Sequence, residues 1–331
     1  MDLTTTYLGL SLRNPFVAGQ SPLTNHSDTI KSLEEAGIGA IVLPPLFEEQ
    51  LSSDQMALFD SIDTPAESFA EALSYFAEPE HAIVEEEAYM ARLAEVKKLT
   101  NVPVIGAINA VTPERWTDYA RRMEKAGADA LELDFYFVAT DASESGGQIE
   151  QRFIEVLKQV KSSVRIPVSV KLTAFHTSLA HFALNLVAAG ADGLVLLHRF
   201  YEPDIDIDNL EPLSRLQLSD SHELLLRLRW LAILSGKVKC SLAASGGIHS
   251  VEDTVKAVMT GAHCVQLTSA LLKNGVGHVA DLREGLATWL EQHEYDSIRQ
   301  MQGSMNIERI PDPMAFSRVH YMHLLGSWGA Q

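Results

Sequence analysis

The stretch Ser245-Gly246-Gly247-Ile248, followed about one helix and one strand later by Gln266-Leu267-Thr268-Ser269, decides how the chain is read. Each segment closes an apolar run, Cys240 to Ala244 and then Cys264 to Leu267, and each is followed by residues of helical pattern. Two small polar turns therefore stand at the ends of two neighbouring strands. Without a Cβ, glycine lets backbone approach a ligand closely, and amides at a helix start point toward an anion. The pair reads as a phosphate cradle, although the same glycines also suit a plain tight turn. In an eight-stranded α/β barrel the loops after strands seven and eight often hold such a site.

A repeat gives these turns their place. In Ala36–Leu43, Ala126–Leu133, Ala189–Leu196 and Thr260–Leu267 an amphipathic stretch ends at a glycine and a short apolar run begins within about three residues, the pattern of a helix stopping and a strand starting. Between the copies lie runs led by a proline or a short basic segment: Pro15–Gly19, Pro103–Asn109, Pro167–Thr173 and Lys239–Ser245. Interleaved, the two sets predict a (β/α)₈ TIM barrel with inserted loops on its C-terminal face. A doubly wound open sheet is the rival, but no G-x-G-x-x-G follows the first strand.

The chain has 331 residues, 46% of them hydrophobic, enough for one barrel domain over residues 1–331 with an insert at 46–100 and a C-terminal tail at 304–331. A formal charge of −18 argues against a grip on nucleic acid or an anionic membrane. With no basic-then-apolar amino terminus and no long apolar run, the expectation is a cytoplasmic enzyme of small molecules. Cys240 and Cys264 sit in or beside predicted strands and read as small buried residues rather than a disulfide or metal pair.

In order along the chain, Met1–Leu12 reads as a hairpin over the barrel floor, the first strand opens onto Gln20, and the second strand stops at a stiff turn, Pro44-Pro45. The segment Ser74–Pro79 reads as part of an inserted loop, before a helix from about Ile83 to Lys98. In strand four, Leu131, Leu133 and Phe135 alternate with Glu132, Asp134 and Tyr136, the second set facing inward. Strand five repeats the parity, with Ser169, Lys171 and Thr173 inward. An inward lysine needs an anionic partner or a ligand, so Lys171 is either a functional residue or one half of an ion pair with Glu132 or Asp134. Strand six ends in His198-Arg199-Phe200-Tyr201, where His198 is open to a functional or a core role. The run Asp204–Asp208 opens like a calcium loop, but Asn209 and Arg215 stand where the turn glycine and bidentate acid belong.

These residues give the chain a resemblance to the dihydroorotate dehydrogenase family, running from about Leu3 to Gly303 and strongest in Asn14–Gly19, Pro167–Leu172, Ser245–Ile248 and Gln266–Leu271. The resemblance implies FMN as cofactor. It places Ala18 and Gly19 beside the isoalloxazine, sets Lys171 near the flavin N1 edge, gives the phosphate to Gly246, Gly247, Thr268 and Ser269, and counts Gln20, Asn109, Asp134 and Ser245 among the cofactor-binding residues. It further implies a homodimer, a small-molecule substrate, an electron-transfer partner protein and a place in pyrimidine biosynthesis. Departures are specific. Where the family carries an Asn-Leu-Ser-Cys-Pro-Asn type segment with its Cys or Ser base, this chain has Asp134-Phe135-Tyr136-Phe137-Val138-Ala139. Phe137 stands at the base position, and His198 stands where the family has a substrate-binding Asn at the end of strand six. The lysine of the Thr-Lys-Ser turn is replaced near Pro44, and the Asn-x-x-Gly-x-x-Asn loop is missing. The expectation is therefore an FMN oxidoreductase of another small anionic or carbonyl substrate, with Tyr136, His198 and Lys171 as catalytic candidates. A divergent dihydroorotate dehydrogenase, a non-catalytic flavoprotein and a cofactor-free aldolase or isomerase using Lys171 are the alternatives.

Overall fold

The computed structural model describes residues 1–47, 80–110, 112–200, 202–213, 216–317 and 326, with side chains of 80–85 left out; the predicted loop at Ser74–Pro79 lies outside this set. Strands β1 (Thr5–Tyr7) and β2 (Leu10–Leu12) pair antiparallel. Then come β3 (Phe16–Ala18), α1 (Ser27–Glu35), β4 (Ala40–Phe47), α2 (Glu80–Leu99), β5 (Val104–Asn109), α3 (Pro113–Ala126) and β6 (Ala130–Asp134). The chain continues through α4 (Gly146–Ser163), β7 (Val168–Leu172), α5 (Leu179–Ala188), β8 (Gly193–Leu196) and a hairpin of β9 (Asp204–Asp206) and β10 (Glu211–Leu213). It closes with α6 (Leu224–Ser235), β11 (Ser241–Ser245), α7 (Val251–Thr260), β12 (Cys264–Leu267), α8 (Ser269–Asn274), α9 (His278–Gln292), α10 (Ile298–Met301) and α11 (Met314–Ser317). Strands β3 to β8, β11 and β12 form a closed parallel barrel, β12 pairing back onto β3. This is the (β/α)₈ TIM barrel that the repeat predicts. The repeat glycines Gly37, Gly127, Gly190 and Gly261 all have positive φ, which ends each helix without strain.

Side-chain parity sorts the strands into two inward layers. The lower one is small and apolar: Val17, Ala40, Val42, Ile105, Ala107, Ala130, Val195, Ala243 and Cys264 cluster with Tyr7, Leu8 and Leu12 of the hairpin, which plugs the floor as expected. The plug is tight, since a Cβ on Gly193 would lie 2.5 Å from Leu8 Cδ2. Outward residues such as Leu131, Leu133 and Phe135 join the larger core beneath the helices. There Phe135 stacks on Phe153 at 4.2 Å and meets Trp116 edge-on at 5.5 Å. Burying an aromatic of this kind contributes about 1.5–3 kcal/mol.

One expectation is corrected. The second barrel strand does not stop at Pro44-Pro45; β4 runs on to Phe47, which pairs with Asn109. Proline cannot donate to a ladder. A register shift between Val42 and Pro45 absorbs the missing donors and lets pairing resume. The acidic run at Asp204–Asp208 forms a hairpin whose turn is held by Asp206, accepting from the amides of Asp208 and Asn209. Cys240 is half-buried and Cys264 buried, both free thiols. Burial, then Asp192, pushes the Cys240 thiol up to about 12.

Candidate active site

The upper inward layer is polar because the same parity that buries Ala130 and Ala107 brings Glu132, Asp134, Lys171, Ser245 and Gln266 over them. Register sets Asp134 on β6 directly beside Lys171 on β7. Lys171 is buried, its Nζ 3.4 Å from Glu132 Oε1, 4.0 Å from Asp134 Oδ2 and donating to Gln20 Oε1 at 3.1 Å. Glu132, fully buried, accepts from Gln20 Nε2 at 2.9 Å and from Gln266 Nε2 at 2.5 Å. Asp134 Oδ1 lies 2.9 Å from His198 Nδ1. Burial raises both carboxyls, yet their net directions differ. Asp134 ends below its usual value because Lys171 and His198 together outweigh burial, whereas Glu132 ends above because Lys171 is opposed by neighbouring Asp134. Lys171 is thus both an ion-pair member and a cavity wall. Pairing with carboxylates is the reverse of the apolar or cationic surroundings that make a lysine nucleophilic.

At the far side lies the glycine turn. Gly246 and Gly247 have φ of 86° and 80°, and a Cβ on Gly247 would sit 2.5 Å from the backbone nitrogen of Leu224. The turn is anchored by Asp253, whose Oδ2 accepts from the His249 and Ser250 amides and from Ser221 Oγ. Ser219 crosses above it, its hydroxyl accepting from the Gly247 amide at 3.3 Å and its own amide donating to Ser269 Oγ at 3.0 Å. Arg227 of α6 is buried and clamps two strand ends, donating to Ser245 O at 2.8 Å and Leu197 O at 3.1 Å.

A cavity of about 600 Å³ joins these two ends. Of the residues singled out in the sequence, it brings together Gln20, Asp134, Tyr136, Lys171, His198, Ser245, Gly246, Thr268 and Ser269. Ala18, Gly19, Asn109 and Gly247 are not among its lining residues. Ala18 packs outward in the helix-facing core, and a Cβ on Gly19 would meet Thr268 Oγ1 at 2.5 Å. Asn109 is buried at the top of β5. Gln266, Ser219 and Arg227 were missed as site residues. The parity of β12 carries a signal for Gln266; Arg227 and Ser219 reach the site only through the way α6 and its preceding loop fold over it.

Three buried polar atoms of this layer, Asn109 Nδ2, Asp134 Oδ2 and Gln266 Oε1, have no hydrogen-bond partner among the described residues. Buried polar atoms are ordinarily satisfied, and of the three residues Asp134 is the one that lines the cavity, where its Oδ2 fits a ligand that offers a donor. A flavin ring edge, with two carbonyls and an N–H, is such a ligand, and the glycine turn across the cavity offers room for its phosphate. Flavin therefore fits the residues present. Among the described residues no group of His, Cys, Asp and Glu forms a metal site, and no helix is long and apolar enough to cross a membrane.

Comparison with known proteins points the same way. Residues 81–290, more than half of the chain, match the family described as dihydroorotate dehydrogenase. The catalytic subunit of dihydroorotate dehydrogenase B (NAD(+)) from Thermoplasma volcanium is 28% identical over 312 residues, covering 91% of this chain and 98% of that protein. The NAD-dependent dihydropyrimidine dehydrogenase subunit PreA of Escherichia coli K12 is 23% identical over 324 residues, covering 94% and 78%. A second dihydroorotate dehydrogenase B (NAD(+)) catalytic subunit, from Caldicellulosiruptor saccharolyticus, is 26% identical over 227 residues, covering 67% and 74%.

Proposed function

The chain belongs to the dihydroorotate dehydrogenase family, a family of oxidoreductases acting on CH–CH groups, and from that premise we propose that it uses FMN on a small carbonyl-bearing substrate other than dihydroorotate. The observation that carries this reading is the single cavity running from the Gly246 turn to Lys171. Ser245, Gly246, Gly247, Thr268 and Ser269 would hold the phosphate. Gln20 and Lys171 would meet the ring, a cation near its N1 edge favouring the reduced anionic form. When bound, FMN supplies the two-electron acceptor.

The same site is poorly suited to dihydroorotate. Phe137, at the position of the expected base, cannot accept a proton, and its ring packs against Phe153 and beneath Arg152 rather than lining the cavity. Acid–base assistance of this kind is worth ~10²–10⁴-fold. The amides that would hold a carboxylated ring are replaced as well, and unpaired polar ligand atoms cost about 1–3 kcal/mol each.

Two relatives are named as catalytic subunits and one as a subunit, which supports electron exchange with a partner protein here too. The family resemblance also supports a homodimer; a monomer in sedimentation at micromolar concentration would count against it. The reaction reading is tested by anaerobic mixing of the flavin-loaded protein with dihydroorotate, fumarate and NADH while flavin absorbance is followed. Dihydroorotate is expected to leave the flavin oxidised, and rapid bleaching by dihydroorotate overturns the reading.

A further inference from the structure

Resting on the reading of the chain as a flavin oxidoreductase, we propose that His198 exchanges the substrate proton and that Asp134 is its positioning residue. The two form an imidazole–carboxylate couple between the ends of β6 and β8, in a site where the usual cysteine or serine is absent. Asp134 is fully buried, and its Oδ1 meets His198 Nδ1 at 2.9 Å. His198 itself lines the cavity and is half-buried, bordered by the ring of Tyr136 at 4.9 Å and that of Phe200 at 6.3 Å. With Nδ1 committed to the carboxylate, Nε2 is the nitrogen left to meet a ligand. A buried carboxylate in this position holds the imidazole in one tautomer and stabilises the imidazolium when a proton arrives.

Glu132 accepts at Oε1 from Gln20 and at Oε2 from Gln266. Lys171 Nζ stands 3.4 Å from Glu132 Oε1 and 4.0 Å from Asp134 Oδ2. The carbon acid that meets His198 is, on the reading above, one activated by a neighbouring carbonyl. In the oxidative direction the proton leaves the carbon next to that carbonyl for His198 Nε2. The adjacent carbon would give up its hydrogen with the electron pair as hydride, for which bound FMN would be the acceptor, and a carbon–carbon double bond would remain. Reduction runs the same transfers backward.

Two measurements test this. Histidine-labelled protein, with the His198 signal assigned by its loss in His198→Gln, reports the tautomer by ¹⁵N NMR without any flavin or substrate. The neutral ring is expected as Nδ1–H in the wild type, with Nε2–H gaining population in Asp134→Ala; an Nε2–H ring in the wild type overturns the proposal whether or not the variant folds. Flavin-loaded protein reduced with dithionite is then mixed in single turnover with uracil, a neutral cyclic enamide, and with its carboxylated form orotate. Reoxidation by uracil but not orotate is expected, with the first-order rate lowered ~10²-fold or more in His198→Gln at equal flavin content. Equal rates in the variant, preference for orotate, or silence toward both probes overturns the proposal. Protein that takes up no flavin defeats the earlier reading instead, and the tautomer still decides the couple.

Discussion

Lys171 sets one ammonium beside two buried acids near the end of β7, so its charge is where a single residue matters most. In Lys171→Met, Glu132 and Asp134 would be left buried with no ammonium between them, and stranding buried charge costs ~3–5 kcal/mol. The loss should depend on pH. Glu132 already takes up protons more readily in the fold than in the unfolded chain, because burial dominates it. Its contribution is therefore most favourable at low pH and is lost as pH rises through its raised folded value. Protonating it removes one stranded charge, so urea unfolding should show a large deficit for the variant at pH 7.5 and a smaller one near pH 5. Asp134 runs the other way, contributing stability above its ordinary 3.8 that is lost as pH falls through its depressed value. A deficit equal at both pH values would contradict the ion-pair account. The inward lysine and its two acids were legible from strand parity alone. The bond from Asp134 to His198 was not, since it spans 64 residues and depends on how the end of β8 turns over the barrel.

Among the elements, the turn after β11 is the most demanding. Gly246 and Gly247 share a left-handed backbone, which costs a substituted residue on the order of 1–3 kcal/mol. Their surroundings differ. A Cβ on Gly247 runs into the backbone of Leu224 at 2.5 Å, while one on Gly246 meets the tip of Arg227 at 3.0 Å. Helix backbone cannot step aside as a side-chain end can, so Gly247→Ala should lower the melting temperature and FMN content more than Gly246→Ala. Equal losses in both variants would show that the close approach of α6 does not matter. The turn itself was plain in the sequence. What packs on it was not, because Arg227 and Ser219 carry no motif and reach the site through α6 and its leading loop. The course of β4 through two prolines was likewise hidden, since a bulge is a response to neighbouring strands rather than a property of the segment.

For the whole molecule, the barrel was legible because one local device recurs: a helix stopped by a glycine and an apolar strand begun at once. Four copies, with the proline-led runs between them, fixed the number of strands, and the inward alternation then divided the interior into an apolar floor and a polar top. Chemistry is harder to read than architecture, for the polar top takes its meaning from contacts between strands far apart in sequence. The account stands or falls on whether that polar top holds a flavin. The direct measurement is the absorbance spectrum and heat-released flavin content of protein purified from riboflavin-supplemented cells and then incubated with FMN. One FMN per chain is the predicted result, and a colourless protein that gains no flavin absorbance would contradict the account.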